Sequence, residues 1–429
     1  MAAHRAKLMR CEELLSKDKI PFKDLRELCF QGCPHESGIR AKCWKLLLNY
    51  LPLRPADWPD HLKKQRAAYM HFIDEIIIQP GTDRAGQGNS DVTFEDHPLN
   101  PNPESQWNTY FKDNDMLLQI DKDCRRLCPD LAFFQNATSY PCLELVTNET
   151  EIETLRKRVE YQVLKSETVQ RNRSGITNMI ARKRAKSMNA EYYTLSEGQE
   201  AHWEVVERIL FIYGKLNPGQ GYVQGMNEII GPIYYTFASD PSKEGQENAE
   251  ADTFYCFTNI MSDIRDNFIK SLDDSECGIG ALMQRLMEIL KKKDLALWVR
   301  LDQQEIKPQF FAFRWITLLL SQEFSLPDVQ RIWDSLFSAE DRNEFLLLIC
   351  CAMLILLRND ILNNDFSTNM KLVQVITKYR SPVHGDVIQL PYTEQLQQNP
   401  VIYFHLLSNR CELVYKFSYL RSKGFQIEH

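Results

Sequence analysis

Two stretches of the chain pair side chains suited to acting on a phosphate. In the first, NPGQGYVQGMNEIIGP from Asn217 to Pro232, a Tyr222-x-Gln224 pair stands at the mouth of an apolar helix. Pro218 and Gly219 break the preceding helical run, and Met226, Ile229, Ile230 and Ile233 recur at the spacing of a buried helix face. Gln224 therefore sits where loop becomes helix. Its amide offers a carbonyl acceptor and two N–H donors, so it can hold a water and a phosphate oxygen together, as neither a carboxylate nor a hydroxyl does alone. Taken singly, a glutamine at a helix start more often caps backbone groups or faces solvent.

The second stretch, LLQIDKDCRRLCPD, sets Ile120-x-x-Asp123-x-x-Arg126 on one helix face. Pro129 disfavours helix at Cys128 and removes a donor, so the helix should end near Arg126, leaving that residue in its last turn with the side chain free to reach outward. Asp123 can hold the guanidinium. The plain alternative is an ordinary i, i+3 surface ion pair worth a few tenths of a kcal/mol. The adjacent Arg125 offers a second candidate cation, but the spacing from Ile120 and Asp123 favours Arg126.

Read together, the two motifs resemble the signature of the TBC domain family of GTPase-activating proteins for Rab GTPases, an Ile-x-x-Asp-x-x-Arg helix followed by a Tyr-x-Gln-Gly-Met-Asn segment. The resemblance also takes in Gly32-Cys33-Pro34 and Gly38-Ile39-Arg40 leading to Trp44 and LLLNYLP, and the stretch FFAFRWITLLLSQEFSLPDVQRIWDSLF from Phe310 to Phe337. It spans residues 32 to 345. The sequence departs from many members in two places, with Leu127 where they have threonine and Glu228 where they have aspartate; neither change removes a reacting group.

The resemblance implies an all-α, multi-helix TBC fold in two helical subdomains and a role in vesicle trafficking. It implies an arginine finger, Arg126, and a glutamine finger, Gln224, that act in trans on GTP held by a partner Rab GTPase, completing that partner's active site. Ile120, Asp123, Tyr222, Gly225, Met226 and Asn227 would support the fingers. GTP and Mg²⁺ would travel with the partner, and no metal is expected on this chain. A reading from another class keeps the domain as a silent Rab-binding effector or scaffold, since fold does not guarantee chemistry. A helical adaptor unrelated to GTPases would require the paired motifs to be coincidental.

Composition narrows the classes. With 429 residues and 44% hydrophobic content the chain can bury a large core in one or two domains without metals or disulfides. Among its twelve cysteines no Cys-x-x-Cys pair occurs: Cys29 and Cys33 are four apart, as are Cys124 and Cys128, and Cys350 and Cys351 adjoin in an apolar run. That spacing argues against zinc. With no secretory signal at the N-terminus, it argues for reduced cysteines as core filling in a cytoplasmic setting, where the sequons at Asn136, Asn148 and Asn172 would stay unglycosylated. A net charge of −7 and a pI near 5.8 weigh against nucleic acid. The longest apolar run, Phe345 to Leu357, is too short for a transmembrane helix and reads as a core helix, so any membrane contact should be peripheral.

The elements that must position the two motifs read as helices. Trp203, Val206, Leu210 and Tyr213 form one stripe at helical period, and Val329, Ile332, Trp333 and Leu336 another. No convincing alternating strand, phosphate-binding glycine loop or long repeat is present. His97 and His202 read as structural. Along the chain, residues 1–31 read as a charged N-terminal helix, 32–345 as the TBC domain with a basic insertion near 135–200, 346–372 as a following core helix, and 373–429 as a divergent segment. Between Glu151 and Ala190 ten Lys or Arg, including Arg156-Lys157-Arg158, face four Glu, sustained apolar periodicity is lacking after about Leu164, and mobile, solvated chain is expected there, as around Gly81–Asn89. Such a segment could touch an anionic membrane or an acidic partner.

Overall fold

The computed structural model describes residues 2–77, 106–146, 155–160, 195–196, 198–269 and 278–374. The Gly81–Asn89 loop, His97, most of the basic insertion and the segment after Gln374 lie outside the described residues. In chain order the helices are α1 (Ala2–Leu15), α2 (Phe22–Phe30), α3 (Ile39–Leu47), α4 (Trp58–Ile76), α5 (Gln106–Cys124), α6 (Leu143–Val146), α7 (His202–Leu216), α8 (Met226–Ala238) and α9 (Lys243–Glu247). There follow α10 (Ala249–Ile264), α11 (Ile279–Lys293), α12 (Leu295–Gln303), α13 (Ala312–Thr317), α14 (Leu326–Ser338), α15 (Arg342–Leu356), α16 (Arg358–Asn363) and α17 (Phe366–Gln374). No strand occurs among the described residues; Ala137 and Ala201 form an isolated antiparallel bridge. The all-α expectation holds.

The chain divides into two compact units, one of residues 1–61, 239–242 and 255–429, the other of residues 62–238 and 243–254. In the first unit the N-terminal stretch, expected as a single charged helix, is two helices. The first ends at Leu15, and Pro21, with its ring-fixed φ of −69°, is the N-cap of the second. α2 is no loose extension: Leu25 and Cys29 are buried, and Arg26 Nε donates to the Ser338 carbonyl at the end of α14 at 2.8 Å.

An aromatic cluster of Trp44, Trp333 and Phe337 fills the centre of this unit, with the Trp44 ring 6.0 Å from Trp333 and edge-on to Phe337 at 5.1 Å. Asp334, fully buried beside it, gathers the opening motif. It accepts the Cys33 backbone N–H at 2.7 Å, the Trp44 indole N–H at 2.7 Å and the Arg40 guanidinium at 3.2 Å. Those partners explain why a carboxylate sits in the middle of the RIWDSLF stripe, since a buried charge persists only when paired and hydrogen-bonded. Gly38, at φ +65°, admits the loop: a Cβ there would stand 2.7 Å from an Asp240 carboxylate oxygen. The apolar run beginning at Phe345 is a core helix as expected, with Leu346, Leu347, Cys350, Cys351 and Leu354 of α15 buried.

α7 is the axis of the second unit. From Trp203 to Gly214 every side of the helix is covered, so its charged residues need internal partners. Glu200 and Glu250 both pair with Arg208, and Arg156 pairs with Glu204 at 2.8 Å. The basic triplet Arg156-Lys157-Arg158 thus departs from the expected solvated chain. Residues 155–160 are helical, Leu155 and Val159 are buried, and Arg158, 3% exposed, donates to Asn114 Oδ1 at 2.8 and 2.6 Å. Leu155, Arg158 and Val159 share a helix face, where Asn114 of α5 accepts from Arg158, while Glu204 of α7 accepts from Arg156.

Candidate functional site

Every residue of the two motifs lies in the second unit. Along α5 the face begun by Ile120, which is wholly buried, leads to Asp123 and then to the chain reversal after Cys124. Arg126 lies two residues beyond the helix, not in its last turn. Arg126 N–H donates to the Asp123 carbonyl at 3.3 Å and Leu127 N–H to the Cys124 carbonyl at 3.1 Å, a tighter i→i−3 pattern that ends the α-helix early. Cys128, at φ +44°, then turns the chain into Pro129.

The two neighbouring arginines have different fates. Arg125 is bound inward: Nε donates to both Asp121 oxygens at 2.9 and 3.0 Å, and the guanidinium lies over the Trp203 ring at 4.3 Å. Arg126 faces solvent with its side chain 70% exposed, tethered by Nε to the Lys122 carbonyl at 3.0 Å and by Nη2 to Asp123 Oδ1 at 3.7 Å. The register read from Ile120 and Asp123 therefore leaves Arg126 as the outward cation. Leu127, in place of the common threonine, is buried against α8, where Gly231 makes room for it; a Cβ at Gly231 would stand 3.0 Å from Leu127 Cδ1.

The loop before α8 is held by short local bonds. Asn217 Nδ2 donates to the Tyr213 carbonyl at 2.8 Å, Tyr213 OH to Gln220 Oε1 at 3.1 Å, and Gly221 N–H to the Asn217 carbonyl at 2.7 Å. Gln224 and Gly225 form the turn into α8, and Gln224 is exposed. Gly225 is buried at φ +103°, a conformation that L side chains rarely adopt. Met226 is buried at the helix start and its sulfur accepts the Val223 N–H at 3.4 Å.

Side chains of the second motif lock onto the backbone and carboxylate of the first. Tyr222 OH donates to Asp123 Oδ2 at 2.8 Å and reaches Asn227 Oδ1 at 3.4 Å, while Asn227 Nδ2 donates to the Asp123 carbonyl at 3.3 Å and to Glu228 Oε1 at 3.0 Å. Burial raises the Tyr222 hydroxyl pKa, with the Cys124 and Asp123 neighbours adding to the effect, so the phenol stays a donor. Burial also pushes Cys128 up to about 12, with Glu228 contributing, which keeps that thiol neutral. Two exposed groups, one cationic and one amide, thus extend from loops whose bases are hydrogen-bonded together.

Sequence reasoning overlooked part of the support. Arg125 is a supporting residue and not an alternative to Arg126, and its i, i+4 spacing from Asp121 is legible in the sequence. The carbonyl of Arg125 accepts Gln135 Nε2 at 3.0 Å, a contact between loops that no local pattern announces. His202, expected as structural, stacks on Phe133 at 4.0 Å with Nδ1 2.8 Å from Tyr234 OH, and burial lowers it to about 4. Among the described residues, the His, Cys, Asp or Glu grouping able to hold a metal is Cys29, Cys33 and Cys43 of the first unit. No helix among the described residues is long and apolar enough to cross a membrane.

Known proteins share this architecture. Over 86% of the chain and 91% of its own length, the Ypt/Rab-GAP domain of Gyp1p superposes with a TM-score of 0.59 at 21% identity, which supports the fold alone. TBC1 domain family member 13 from Mus musculus is 62% identical over 86% of this chain and 94% of its own, and the Homo sapiens protein of the same name is equally similar. A TBC domain-containing protein of Schizosaccharomyces pombe is 36% identical over 86% of this chain and 70% of its own. The family model of the Rab-GTPase-TBC domain matches residues 142–362, taking in the Tyr222–Asn227 motif and the Asp334 stripe. With such similarity along most of its length, the chain belongs to the Rab-GTPase-TBC domain family.

Proposed function

We propose that the chain is a GTPase-activating protein for Rab-type small GTPases, with Arg126 and Gln224 as its two trans-acting fingers. The observation that carries this reading is the Tyr222–Asp123 hydrogen bond, which joins the bases of the loops bearing the exposed Arg126 and Gln224. On docking, the partner supplies GTP and Mg²⁺. Arg126 enters beside the transferred phosphoryl group, where its planar fork spans two oxygens as negative charge spreads over them. Gln224 accepts from the attacking water through its carbonyl and donates an N–H to a phosphate oxygen, aligning the water with the phosphorus. Water adds to the γ-phosphorus as the bond to the β-phosphate oxygen breaks, giving GDP and inorganic phosphate.

A guanidinium that meets this charge only at the transition state lowers the barrier without merely tightening the complex. An arginine finger typically contributes about 10³- to 10⁵-fold in rate. Such a role would bring the chain to the cytoplasmic face of endomembranes through its partner and into vesicle trafficking. The test is phosphate release from a panel of GTP-loaded Rab GTPases. Stimulation of at least one of them supports the reading; stable complexes with no release across the panel would instead make the chain a silent effector.

A further inference from the structure

Three thiols drawn from three places in the sequence meet inside the first unit. Cys29 stands in the last turn of α2, Cys33 in the loop that follows, and Cys43 within α3. All are buried, and their sulfur atoms lie within 4.8 Å of one another. We propose that Cys29, Cys33 and Cys43 form a binding site for a soft, thiophilic metal ion, with Cu(I) the ion whose coordination three sulfurs complete.

Geometry carries the argument first. Metal–thiolate bonds run to about 2.3 Å, so an ion at the centre of a planar sulfur triangle holds the sulfurs roughly 4.0 Å apart. The triangle needs to contract by less than about 1 Å, which small χ1 adjustments of three short side chains deliver. Softness selects the ion, because all-thiolate sites favour Cu(I) and zinc over harder cations. A structural zinc site calls for a fourth donor. The adjacent carboxylate, Asp334, is committed to the Cys33 N–H, Arg40 and the Trp44 indole.

Charge is also provided for. Binding releases one proton from each thiol, and one monovalent ion among three thiolates carries a charge of −2. Lys7 interacts with Cys33, Arg331 and Asp334, and Arg40 interacts with Cys33. The positive charges of Lys7, Arg331 and Arg40 thus stand near the negative charge of the filled site. Sequence spacing hid the site, because Cys43 lies ten residues past Cys33 and only the turn through Gly38 returns it.

The full-length, reduced chain is titrated with Cu(I) against a chromophoric Cu(I) chelator, and the copper-loaded protein is measured by X-ray absorption. The expected result is one ion withheld per chain with three sulfur neighbours at about 2.3 Å. Cys43→Ala should abolish retention, while Cys350→Ala, also a buried cysteine, should keep it. Copper surrendered fully to the chelator, fewer than three sulfurs around the ion, or retention by Cys43→Ala would each overturn the site. A zinc ion held by four sulfurs would overturn the copper assignment. The absorption measurement on the unsubstituted chain decides the matter even where a substitution prevents folding.

Discussion

The Tyr222 hydroxyl donates to Asp123 Oδ2 at 2.8 Å, joining residues 99 positions apart. Asn227 completes the joint by donating to the Asp123 carbonyl at 3.3 Å. Asp123 therefore faces three ways, toward Tyr222, toward Asn227 through its backbone, and toward Arg126 at 3.7 Å. A shift in the Tyr222 loop is felt at the base of the arginine, and positional errors of about 1 Å at a reacting centre can cost roughly 10²-fold in rate.

Tyr222→Phe keeps the ring and deletes this bond. A hydrogen bond to a charged group contributes about 1.5–3 kcal/mol, and stability measured by denaturant midpoint should fall by that order. Stimulated phosphate release should drop by roughly 10- to 100-fold, more than folding loss alone can explain while the variant remains folded. An unchanged rate would show that the joint does not position the fingers.

Gly225→Ala tests the turn that presents Gln224. At φ +103° an alanine is strained by on the order of 1–3 kcal/mol, and the turn relieves that strain by moving. The expected outcome is a folded protein with a lowered rate and nearly unchanged affinity for a GTP-loaded partner.

Arg40→Ala strands the Asp334 carboxylate in the core of the first unit. Burial already lifts Asp334 to about 7 against the pull of Arg40, and removing the cation should raise it further. Breaking a buried pair from one side typically costs about 3–5 kcal/mol. The double variant Arg40→Ala with Asp334→Asn should be less destabilised than the two single effects summed, as a double-mutant cycle in the denaturant midpoint would reveal.

His202 makes stability depend on pH. Its folded value is lowered from 6.5 to about 4 by burial, so the folded state holds the ring neutral. The unfolded chain takes up a proton first as pH falls, and the stability this group contributes is intact above pH 6.5 and lost between 6.5 and about 4. Discounted for partial exposure, the loss should be on the order of 2 kcal/mol. In His202→Phe, the melting temperature should lose less over that interval than in the unsubstituted chain.

Much of this was legible from local pattern. The stripes through Trp203 and Trp333 reappear in α7 and α14, and the break at Pro218 and Gly219 in the turn after α7; of the spaced Ile120, Asp123 and Arg126, the first two lie in α5 and the third just past its end. What stayed hidden depends on distant partners. Asp334 finds its partners Cys33, Arg40 and Trp44 at separations of 301, 294 and 290 positions, beyond the reach of any local pattern. Arg156 and Arg158 looked like solvated charge because their acceptors, Glu204 and Asn114, lie 48 and 44 positions away. The end of α5 came two residues early because i→i−3 bonding is set by geometry rather than composition.

The most direct measurement is single-turnover phosphate release from a GTP-loaded Rab that the unsubstituted chain stimulates, repeated with Arg126→Ala, Arg126→Lys and Gln224→Ala. The fingers predict that each variant still binds its partner, that Arg126→Ala loses about 10³-fold or more, and that lysine restores little of it. Stimulation undiminished in both Arg126→Ala and Gln224→Ala, with binding intact, would contradict the assignment.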